Sequence, residues 1–382
     1  MYFADCERFF CTDCKHLLGD QVLQLQPFYD QILDQKGKAG STNQCPIIAD
    51  SIMASNSHNE LLGEEHDCYF DTDPRVNNEL SNSLRGKNVI IAGAGRGIGR
   101  ACALFLTHAS AKSLSLMALE LEEVERTSEL CRQINPDIEI KVDAFDVKDY
   151  PRVDAFVKEA DTAFGGIHVL LMNAGRPGQW LPTADCDPEL WWDTVAVSLQ
   201  GGFNFARSVL PVMQKQQEGR IIFTSSSGAH SNFGMSGYVL GKLGLVRLCE
   251  IIHHENFKDY NVKSFAFNPG CVQTRFITDF RDRVEGKTTN ASYVTDGALN
   301  EDKSAQTAVD ALRNAVWDTP ELSAGLTTVI AAGKLDFMSG RYLDASKNIA
   351  AYKEEEFDIK KQDLHRVRLH VGPDKLIPKL DY

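Results

Sequence analysis

The fold is decided by the sequence Val89-Ile90-Ile91-Ala92-Gly93-Ala94-Gly95-Arg96-Gly97-Ile98-Gly99. An apolar run typical of a buried strand leads into closely spaced glycines, and a helical pattern follows over Ile98–His108. Glycines let the backbone turn tightly and approach a pyrophosphate closely, and the helix N-terminus offers free N–H groups to that anion. Because the strand lies before and the helix after the glycines, the segment predicts a dinucleotide site. Its candidate residues are Gly93, Gly95, Arg96, Gly97, Ile98 and Gly99.

Outward from this segment, apolar runs that resemble buried strands alternate with helical patterns. The strand candidates are Asn88–Ala92, Ser113–Ala118, Ile138–Val142, His168–Met172, Arg220–Thr224 and Val262–Phe267. The helix candidates between them are Ile98–His108, Glu120–Ile134, Pro151–Phe164, Pro188–Gln214 and Met235–Phe257. Regular alternation implies right-handed crossovers and a parallel sheet that is covered on both faces. We therefore predict an α/β fold with a Rossmann-like, doubly wound parallel sheet in three α/β/α layers.

The chain divides into three segments that differ in composition and periodicity. Residues 1–84 are polar and rich in Asn, Ser, Asp and Gln, and only Leu17–Ile32 shows helical periodicity. We interpret them as an extension of uncertain order, residues 85–350 as the Rossmann-like domain, and residues 351–382 as a charged tail over the surface. Within the domain, Glu301–Trp317 and Leu322–Ala332 are further helix candidates, and Arg341–Asp344 is a candidate for the last strand.

Composition excludes several classes of protein. The 382 residues include 40 Lys and Arg against 53 Asp and Glu, so the formal net charge is −13, and 43% of residues are hydrophobic. This is ordinary globular composition, and its acidic balance argues against nucleic acid and anionic membranes as partners. No apolar run approaches the roughly 18 residues of a spanning helix. The acidic start does not resemble a secretory signal, and ten cysteines are too dilute for a disulfide scaffold, so we expect a cytoplasmic protein.

The cysteines and histidines give little support to a metal site. Cys11-x-x-Cys14, with Cys6 and His16 nearby, has a spacing that could ligate zinc, but no second pair at similar spacing exists. The adjacent His253-His254 pair is not placed four residues apart on a helix, as a shared metal would require. We predict ordinary free thiols and no metal.

Further motifs follow the glycines at the expected strand ends. They are Asp146-Val147, Asn173-Ala174-Gly175, Thr224-Ser225-Ser226, Tyr238-Val239-Leu240-Gly241-Lys242 and Asn268-Pro269-Gly270-Cys271-Val272-Gln273-Thr274. In this order, and with the glycine spacing, residues 84–350 resemble the short-chain dehydrogenase/reductase family. The resemblance implies an NAD(P)(H)-dependent oxidoreductase that transfers hydride between the nicotinamide and a carbonyl or alcohol substrate. It also implies cofactor contacts from Asp146, Val147, Asn173, Ala174, Gly175, Tyr238, Lys242, Pro269, Gly270, Val272 and Thr274.

The proton chemistry depends on Tyr238 and Lys242, which are four residues apart and share a face of a helix. A free tyrosine has a pKa near ~10, and a nearby ammonium lowers that pKa. A tyrosine tuned in this way can give a proton to a carbonyl oxygen or take one from an alcohol. The resemblance implies that Ser226 orients the substrate oxygen, with Ser225 as the alternative, and that Lys242 holds the ribose hydroxyls of the nicotinamide.

One departure from the family pattern lies in the helix before the fifth strand. The family has an Asn-Leu pair there, whose Asn supports a water-linked proton path to the lysine, and this chain has Ser198-Leu199. Two smaller departures are Ala92 in place of Thr and Met172 in place of Asn. Ser198 and the atypical extension leave open a dinucleotide-binding pseudoenzyme or sensor without turnover. A non-redox dehydratase or isomerase on the same fold is a further alternative.

The cofactor, the substrate and the assembly are less fully specified. No acid precedes Glu120 after the second strand, and Arg96 lies in the glycine loop, which favours NADP(H) while NAD(H) stays possible.

The substrate rim is expected at residues 175–187 and 276–296. It suggests a sizeable, partly apolar carbonyl or alcohol, unless its aromatic residues pack on the lid itself. The rim includes Trp180, Arg275, Phe276, Phe280, Arg281, Arg283 and Tyr293. The resemblance implies a homodimer or homotetramer through helices Trp191–Gln214 and Tyr238–Phe257.

Overall fold

The computed structural model describes residues 63–230, 235–284, 310, 313, 315–368, 370–372 and 375–376. The Leu17–Ile32 pattern, the cysteines near His16 and most of the Glu301–Trp317 helix lie outside these residues. Strands and helices are numbered below in chain order.

A parallel sheet of seven strands forms the centre of the molecule, in the order β3-β2-β1-β4-β5-β6-β7. Between β1 and β4 the direction of chain progression reverses, and such a switch point opens a crevice at the carboxyl ends of the strands. The predicted Rossmann-like doubly wound fold is confirmed. The strands are β1 (Asn88–Ala92), β2 (Ser113–Ala118), β3 (Glu139–Ala144), β4 (Val169–Met172), β5 (Gly219–Thr224), β6 (Val262–Asn268) and β7 (Arg341–Asp344).

Helices cover both faces of the sheet. Apolar side chains of β1 alternate between two cores, with Val89 and Ile91 in one and Ile90 and Ala92 in the other. The first core packs α1, α2 and α8 on the sheet, and the second packs α3, α5 and α6. The helices are α1 (Gly97–His108), α2 (Leu121–Ile134), α3 (Tyr150–Phe164), α4 (Pro188–Val195), α5 (Gly201–Gln216), α6 (Ser236–Tyr260), α7 (Arg275–Val284), α8 (Pro320–Ala331), α9 (Ile349–Glu354) and α10 (Glu356–Lys361).

Local chemistry fixes several helix ends. Asp149 accepts a hydrogen bond from the Arg152 N–H at the start of α3, and Gly165 ends that helix at φ +78. Asp187 and Thr319 cap α4 and α8 in the same manner, and each cap is followed by proline. Short polar acceptors before a helix, proline in its first turn and glycine after it are the expected signals.

Two element bounds differ from the prediction. The single helix expected over Pro188–Gln214 is α4, one π-helical turn at Ala196–Gln200, and α5. One inserted residue per turn hardly changes the apolar periodicity, so the sequence pattern does not reveal such a turn. The third strand is shifted from Ile138–Val142 to Glu139–Ala144, where it pairs with the whole of β2.

The packed core extends beyond both predicted limits of the domain. Leu80 and Leu84 are buried with the first core, although the extension was expected to run to residue 84. Tyr352 and Ile359 are buried in the same core, so α9 and α10 do not run over the surface as the charge of the tail suggested. Apolar residues spaced along these helices outweigh their many charges, because the charged side chains can point outward.

Among the described residues, no helix has the length and hydropathy that crossing a membrane requires.

Candidate active site

The loop from Gly93 to Gly99, called the glycine cradle below, forms the floor of the crevice between β1 and β4. Gly93 has φ +86, and a Cβ there would lie 2.6 Å from the Ala174 backbone nitrogen. A Cβ on Gly99 would lie 1.9 Å from the Gly93 carbonyl oxygen, and one on Gly97, at φ +52, would lie 2.9 Å from Thr274 Cγ2. Only glycine permits these approaches. Since α1 begins at Gly97, its free N–H groups lie at the cradle.

A continuous series of hydrogen bonds links the cradle to β4, β5 and α6. Asn173 Nδ2 donates to the Gly93 carbonyl at 3.0 Å, and the N–H groups of Asn173 and Ala174 donate to the Ala92 carbonyl. Thr224 Oγ1 donates to Asn173 Oδ1 at 3.2 Å, and Lys242 Nζ donates to the Thr224 carbonyl at 2.8 Å. The predicted cofactor loop and the predicted proton-transfer residues are therefore connected by one series of hydrogen bonds.

Tyr238 and Lys242 lie in the first turns of α6 and are 9% and 4% exposed. Lys242 Nζ is 5.7 Å from the centre of the Tyr238 ring. Burial raises the pKa of Tyr238, while its hydrogen bond with Ser226 acts in the opposite direction. Burial also lowers the pKa of Lys242 to about 8. The sequence predicted a lowered pKa for the tyrosine, whereas in the structure burial raises the pKa of Tyr238, because a buried phenolate loses its hydration.

The two candidate serines have different surroundings. Ser225 is 1% exposed, and its Oγ donates to the Lys242 carbonyl at 2.9 Å, so this hydroxyl ties β5 to α6. Ser226 Oγ accepts from the Gly228 N–H at 3.0 Å and hydrogen-bonds with Tyr238. A Cβ on Gly228 would lie 3.2 Å from Ser226 Oγ. Of the two hydroxyls, that of Ser226 is the one directed at the tyrosine.

The loop that carries Ser226 is held by two polar residues for which the sequence suggested no role. Asn268 Oδ1 accepts from the Ser227 N–H at 2.9 Å, and Asn268 Nδ2 donates to Asp344 Oδ2 at 2.7 Å. Burial raises the pKa of Asp344. The available signal was positional: Asn268 and Asp344 end the neighbouring strands β6 and β7 and are partners in register.

Comparisons with known proteins show the family of this chain. The family described as short chain dehydrogenase matches residues 87–285. The chain belongs to the short-chain dehydrogenase family. It is accordingly a nicotinamide-dependent oxidoreductase.

Relatives in this family cover most of the domain. A short chain dehydrogenase of Monascus purpureus is 30% identical over 288 residues, which are 74% of this chain and 89% of the relative. Levodione reductase of Leifsonia aquatica is 32% identical over 52% of this chain and 73% of its own length. The crystal structure of a levodione reductase has the same fold, with a TM-score of 0.59, 24% identity and coverage of 68% of this chain and 96% of its own.

Ser198, at the position where this family has an asparagine, lies within the π-helical turn between α4 and α5. It is fully buried, and its Oγ has no hydrogen-bond partner among the described residues. A Cβ on Gly241 would lie 3.1 Å from Ser198 Cβ, so Ser198 faces the turn of α6 that carries Tyr238 and Lys242. A buried hydroxyl without a protein partner is a site where an ordered water is expected.

An acidic residue that the sequence reasoning missed lies beside the glycine cradle. Glu123 Oε1 accepts from Arg96 Nη1 at 3.0 Å and from Arg275 Nη1 at 2.8 Å. A Cβ on Gly95 would lie 3.2 Å from Glu123 Oε2. The family pattern places such an acid at the end of β2, whereas Glu123 lies in the first turn of α2. Glu123 lies three residues after Glu120, beyond the position that the family pattern indicates, so the sequence did not reveal its role.

The other predicted residues surround the same crevice. Asp146 pairs with Lys148 at 3.2 Å, and Val147 packs against Gly201 at the start of α5. Ile98 is partly exposed on the first turn of α1. The Pro269–Thr274 segment, called the Pro-Gly segment below, lies opposite the cradle, where Thr274 meets Gly97.

Part of the predicted rim lies over the tyrosine. A Cβ on Gly178 would lie 3.0 Å from Tyr238 Cβ, so the loop after Gly175 covers the start of α6. Trp191 Nε1 donates to Ser236 Oγ at 2.8 Å across the same region. The side chains of Phe276, Phe280 and Arg283, and the whole of Tyr293, lie outside the described residues. No group of three or more His, Cys, Asp or Glu residues suitable for a metal occurs in the described part of the chain.

Proposed function

We propose that this oxidoreductase transfers hydride between NADP(H) and a carbonyl or alcohol carbon, with Tyr238 as the general acid and base. The observation that carries the proposal is the convergence of Ser226, Tyr238 and Lys242 beside the glycine cradle. Acid–base catalysis needs a group within hydrogen-bond reach of the reacting oxygen, and the Ser226–Tyr238 contact defines where such an oxygen would be bound.

The residues present fit a dinucleotide. At Gly93, Gly97 and Gly99, the space that a Cβ would fill is occupied by neighbouring backbone or side-chain atoms, so no side chain stands there. The N–H groups in the first turn of α1, which begins at Gly97, would then face a pyrophosphate. The cradle, the Asn173–Gly175 turn, Asp146-Val147, Lys242 and the Pro-Gly segment would hold the cofactor. When bound, the nicotinamide supplies or accepts the hydride.

The side chains then handle the proton. Ser226 Oγ and the Tyr238 hydroxyl hydrogen-bond to the substrate oxygen, and Tyr238 gives its proton to that oxygen during reduction. Because burial raises the pKa of Tyr238, the tyrosine holds its proton at neutral pH and is available as an acid. Lys242 is fixed by the Thr224 carbonyl and, while protonated, stabilises the phenolate that remains.

Ser198 completes the proton path in this proposal. A water bound to its Oγ would connect the buried turn of α6 with solvent, in the place of the asparagine of the family pattern. The free hydroxyl and its position against Gly241 support this role.

The cofactor preference rests on charge beside the cradle. Arg96 and Arg275 present two guanidinium groups there, which favours the extra phosphate of NADP(H). Glu123 gives specific support to the alternative, since a carboxylate can accept hydrogen bonds from the ribose hydroxyls of NAD(H).

The substrate in this proposal is a small-molecule carbonyl or alcohol compound, and the name of the levodione reductase relative, a reductase, agrees with this class. Exposed apolar residues support a homodimer or homotetramer through the helices that the resemblance indicated. They are Trp192 on α4, Phe203 on α5, and Leu240 and Ile251 on α6. The described cysteines are unpaired thiols, which suits a cytoplasmic location. Light scattering of the purified chain tests the oligomeric state, and imaging of a fluorescent fusion tests the location.

The central experiment follows NADPH and NADH absorbance with a panel of ketones for wild type and Tyr238→Phe. We expect the variant to lose activity at least about 100-fold, because it has no proton to give, while its dinucleotide affinity stays close to that of wild type. Fluorescence titration of NADPH measures that affinity. Turnover that survives the substitution would refute the acid–base role.

A further inference from the structure

A segment that precedes the family region is bonded to the Pro-Gly segment through Asp318. Residues 63–73, called the strap below, run across the start of α8 and the end of β7. The Glu65 N–H donates to the Ser346 carbonyl at 3.0 Å, and Tyr69 Oη accepts from the Ile349 N–H at 2.7 Å. The matched family region begins only at residue 87, so these contacts are additions to it.

Asp318 is the residue through which the strap reaches the Pro-Gly segment. Its side chain is only 7% exposed, and its Oδ2 accepts from the Cys271 N–H at 2.6 Å. Gly270 has φ +89, and a Cβ there would lie 2.4 Å from Asp318 Oδ2, so the carboxylate fits closely against this turn. The Asp318 N–H also donates to the Cys271 carbonyl at 2.9 Å. The carboxylate thereby fixes the backbone on which Val272 and Thr274 are presented.

His66 holds the other oxygen of the same carboxylate. Its Nδ1 is 2.7 Å from Asp318 Oδ1, and its backbone carbonyl accepts from the Thr319 N–H at 2.9 Å. Asp67 accepts from the Thr319 hydroxyl one residue further along the strap. Without the imidazole, the nearly buried Asp318 carboxylate would lose the hydrogen bond from His66. A buried carboxylate that lacks hydrogen-bond donors is strongly unfavourable. The side chain would turn toward water and release the Cys271 N–H.

We propose that His66 and Asp318 are positioning residues for the Pro-Gly segment, so that the strap sets the affinity of the chain for its dinucleotide. This inference rests on the proposed function, in which the Pro-Gly segment contacts the cofactor. The pair holds the segment opposite Gly97 before the cofactor arrives. A loosened segment would have to be ordered during binding, and that entropy would be lost from the affinity.

The test compares full-length His66→Ala, His66→Asn and Asp318→Asn with wild type. NADPH and NADH are titrated by fluorescence, and KM for the dinucleotide and kcat are measured at saturating ketone. We expect His66→Ala to raise Kd and KM about fivefold to tenfold while kcat stays within about twofold. His66→Asn should restore most of the affinity, because its amide can donate from nearly the position of Nδ1. Glu64→Ala, an exposed change in the same strap, is the matched control.

Asp318→Asn keeps the size of the side chain, so it remains informative if His66→Ala does not fold. It retains one acceptor oxygen and should raise Kd at least about threefold. If wild type binds NADPH or NADH and neither variant changes Kd, the positioning role is refuted. If wild type binds neither dinucleotide, the proposed function fails instead.

Discussion

The glycine cradle and the proton-transfer group on α6 lie in one crevice but depend on different physics. The cradle acts through backbone, and what matters there is the side-chain volume that Gly93, Gly97 and Gly99 lack. The α6 group acts through side chains, and what matters is how burial changes the pKa values of Tyr238 and Lys242. The steric requirements of a backbone turn are local, so they appear in the sequence as a spacing of glycines. Burial depends on the whole fold, so no local sequence pattern reveals it.

The strongest prediction concerns the cradle. In Gly99→Ala the new Cβ would lie 1.9 Å from the Gly93 carbonyl oxygen, so the loop must move by more than 1 Å. A misplacement of about 1 Å can lower the rate of an enzyme about 100-fold. We expect NADPH affinity to fall by at least a similar factor. Fluorescence titration measures it, with circular dichroism to check the fold. Gly86→Ala is the control for backbone strain alone, because Gly86 has φ +75 but its Cβ would meet nothing within 4 Å; this variant should keep its NADPH affinity.

The next prediction compares two adjacent serines of the proton-transfer group. Ser226→Ala should lower kcat/KM about 100-fold, because the substrate oxygen loses one of its two donors. Ser225→Ala should leave kcat within about threefold but lower the free energy of unfolding by about 1–2 kcal/mol, since its hydroxyl joins β5 to α6. Steady-state kinetics and urea unfolding separate the effects. A reversal of the two results would exchange the roles assigned to these residues.

This serine pair shows how far the sequence could predict the site. The glycines were predicted from their spacing between a strand and a helix, and Tyr238 and Lys242 from their spacing together with the family resemblance, but the sequence left Ser225 and Ser226 as alternatives. Which hydroxyl meets the tyrosine depends on the packing of β5 against α6, and that packing is a tertiary property. The π-helical turn at Ser198 escaped for a related reason, because one extra residue in a helix leaves the apolar pattern almost unchanged.

The average composition of the flanking segments did not reveal where the packed domain begins and ends. Leu84 and Tyr352 belong to the core, yet each lies in a stretch that is polar or charged on average. A single large apolar side chain can anchor such a stretch, and averages over a window do not detect it. Glu123 was missed because the family pattern directs attention to the end of β2, whereas the first turn of α2 brings this acid to Gly95.

A third prediction separates the stability of the α6 group from its function. Burial lowers the pKa of Lys242 from 10.5 to about 8, a shift that corresponds to roughly 3 kcal/mol at neutral pH. Lys242→Met removes this cost but leaves the Thr224 carbonyl without its donor. We expect an inactive variant whose free energy of unfolding at pH 7 is about 1–2 kcal/mol higher than that of wild type.

The pH dependence of that gain has a definite sign. Between about pH 8 and 10.5 the folded wild type binds fewer protons at Lys242 than the unfolded chain, so wild type becomes more stable as the pH rises. The advantage of Lys242→Met should therefore shrink from pH 7 to pH 10. Urea unfolding at the two pH values checks this, with the exposed Lys258→Met as control. A variant less stable than wild type at pH 7 would contradict the burial argument.

A fourth prediction returns to the cradle and its neighbouring charges. Glu123→Gln removes the negative charge that pairs with Arg96 and Arg275, so the region beside the cradle becomes more favourable to a phosphate. We expect the ratio of kcat/KM for NADPH over NADH to rise about fivefold, which is the scale of a partly exposed ion pair. Glu122→Gln, exposed on the same turn, should leave the ratio unchanged. A fall in the ratio would mean that Glu123 supports NADP(H) binding.

The smallest expected effect lies behind the α6 group, at Ser198. Its buried Oγ has no partner among the described residues, so a purely structural serine would be a liability, and Ser198→Ala would raise stability without any effect on turnover. If the hydroxyl instead holds the water of the proton path, kcat should fall about threefold while the free energy of unfolding changes by less than about 1 kcal/mol, because a hydroxyl bonded to water is already satisfied. Turnover in H₂O and D₂O gives the decisive measurement, because a slower proton path should increase the solvent isotope effect. An unchanged kcat and isotope effect would remove Ser198 from the mechanism and leave Tyr238 and Lys242 without a relay.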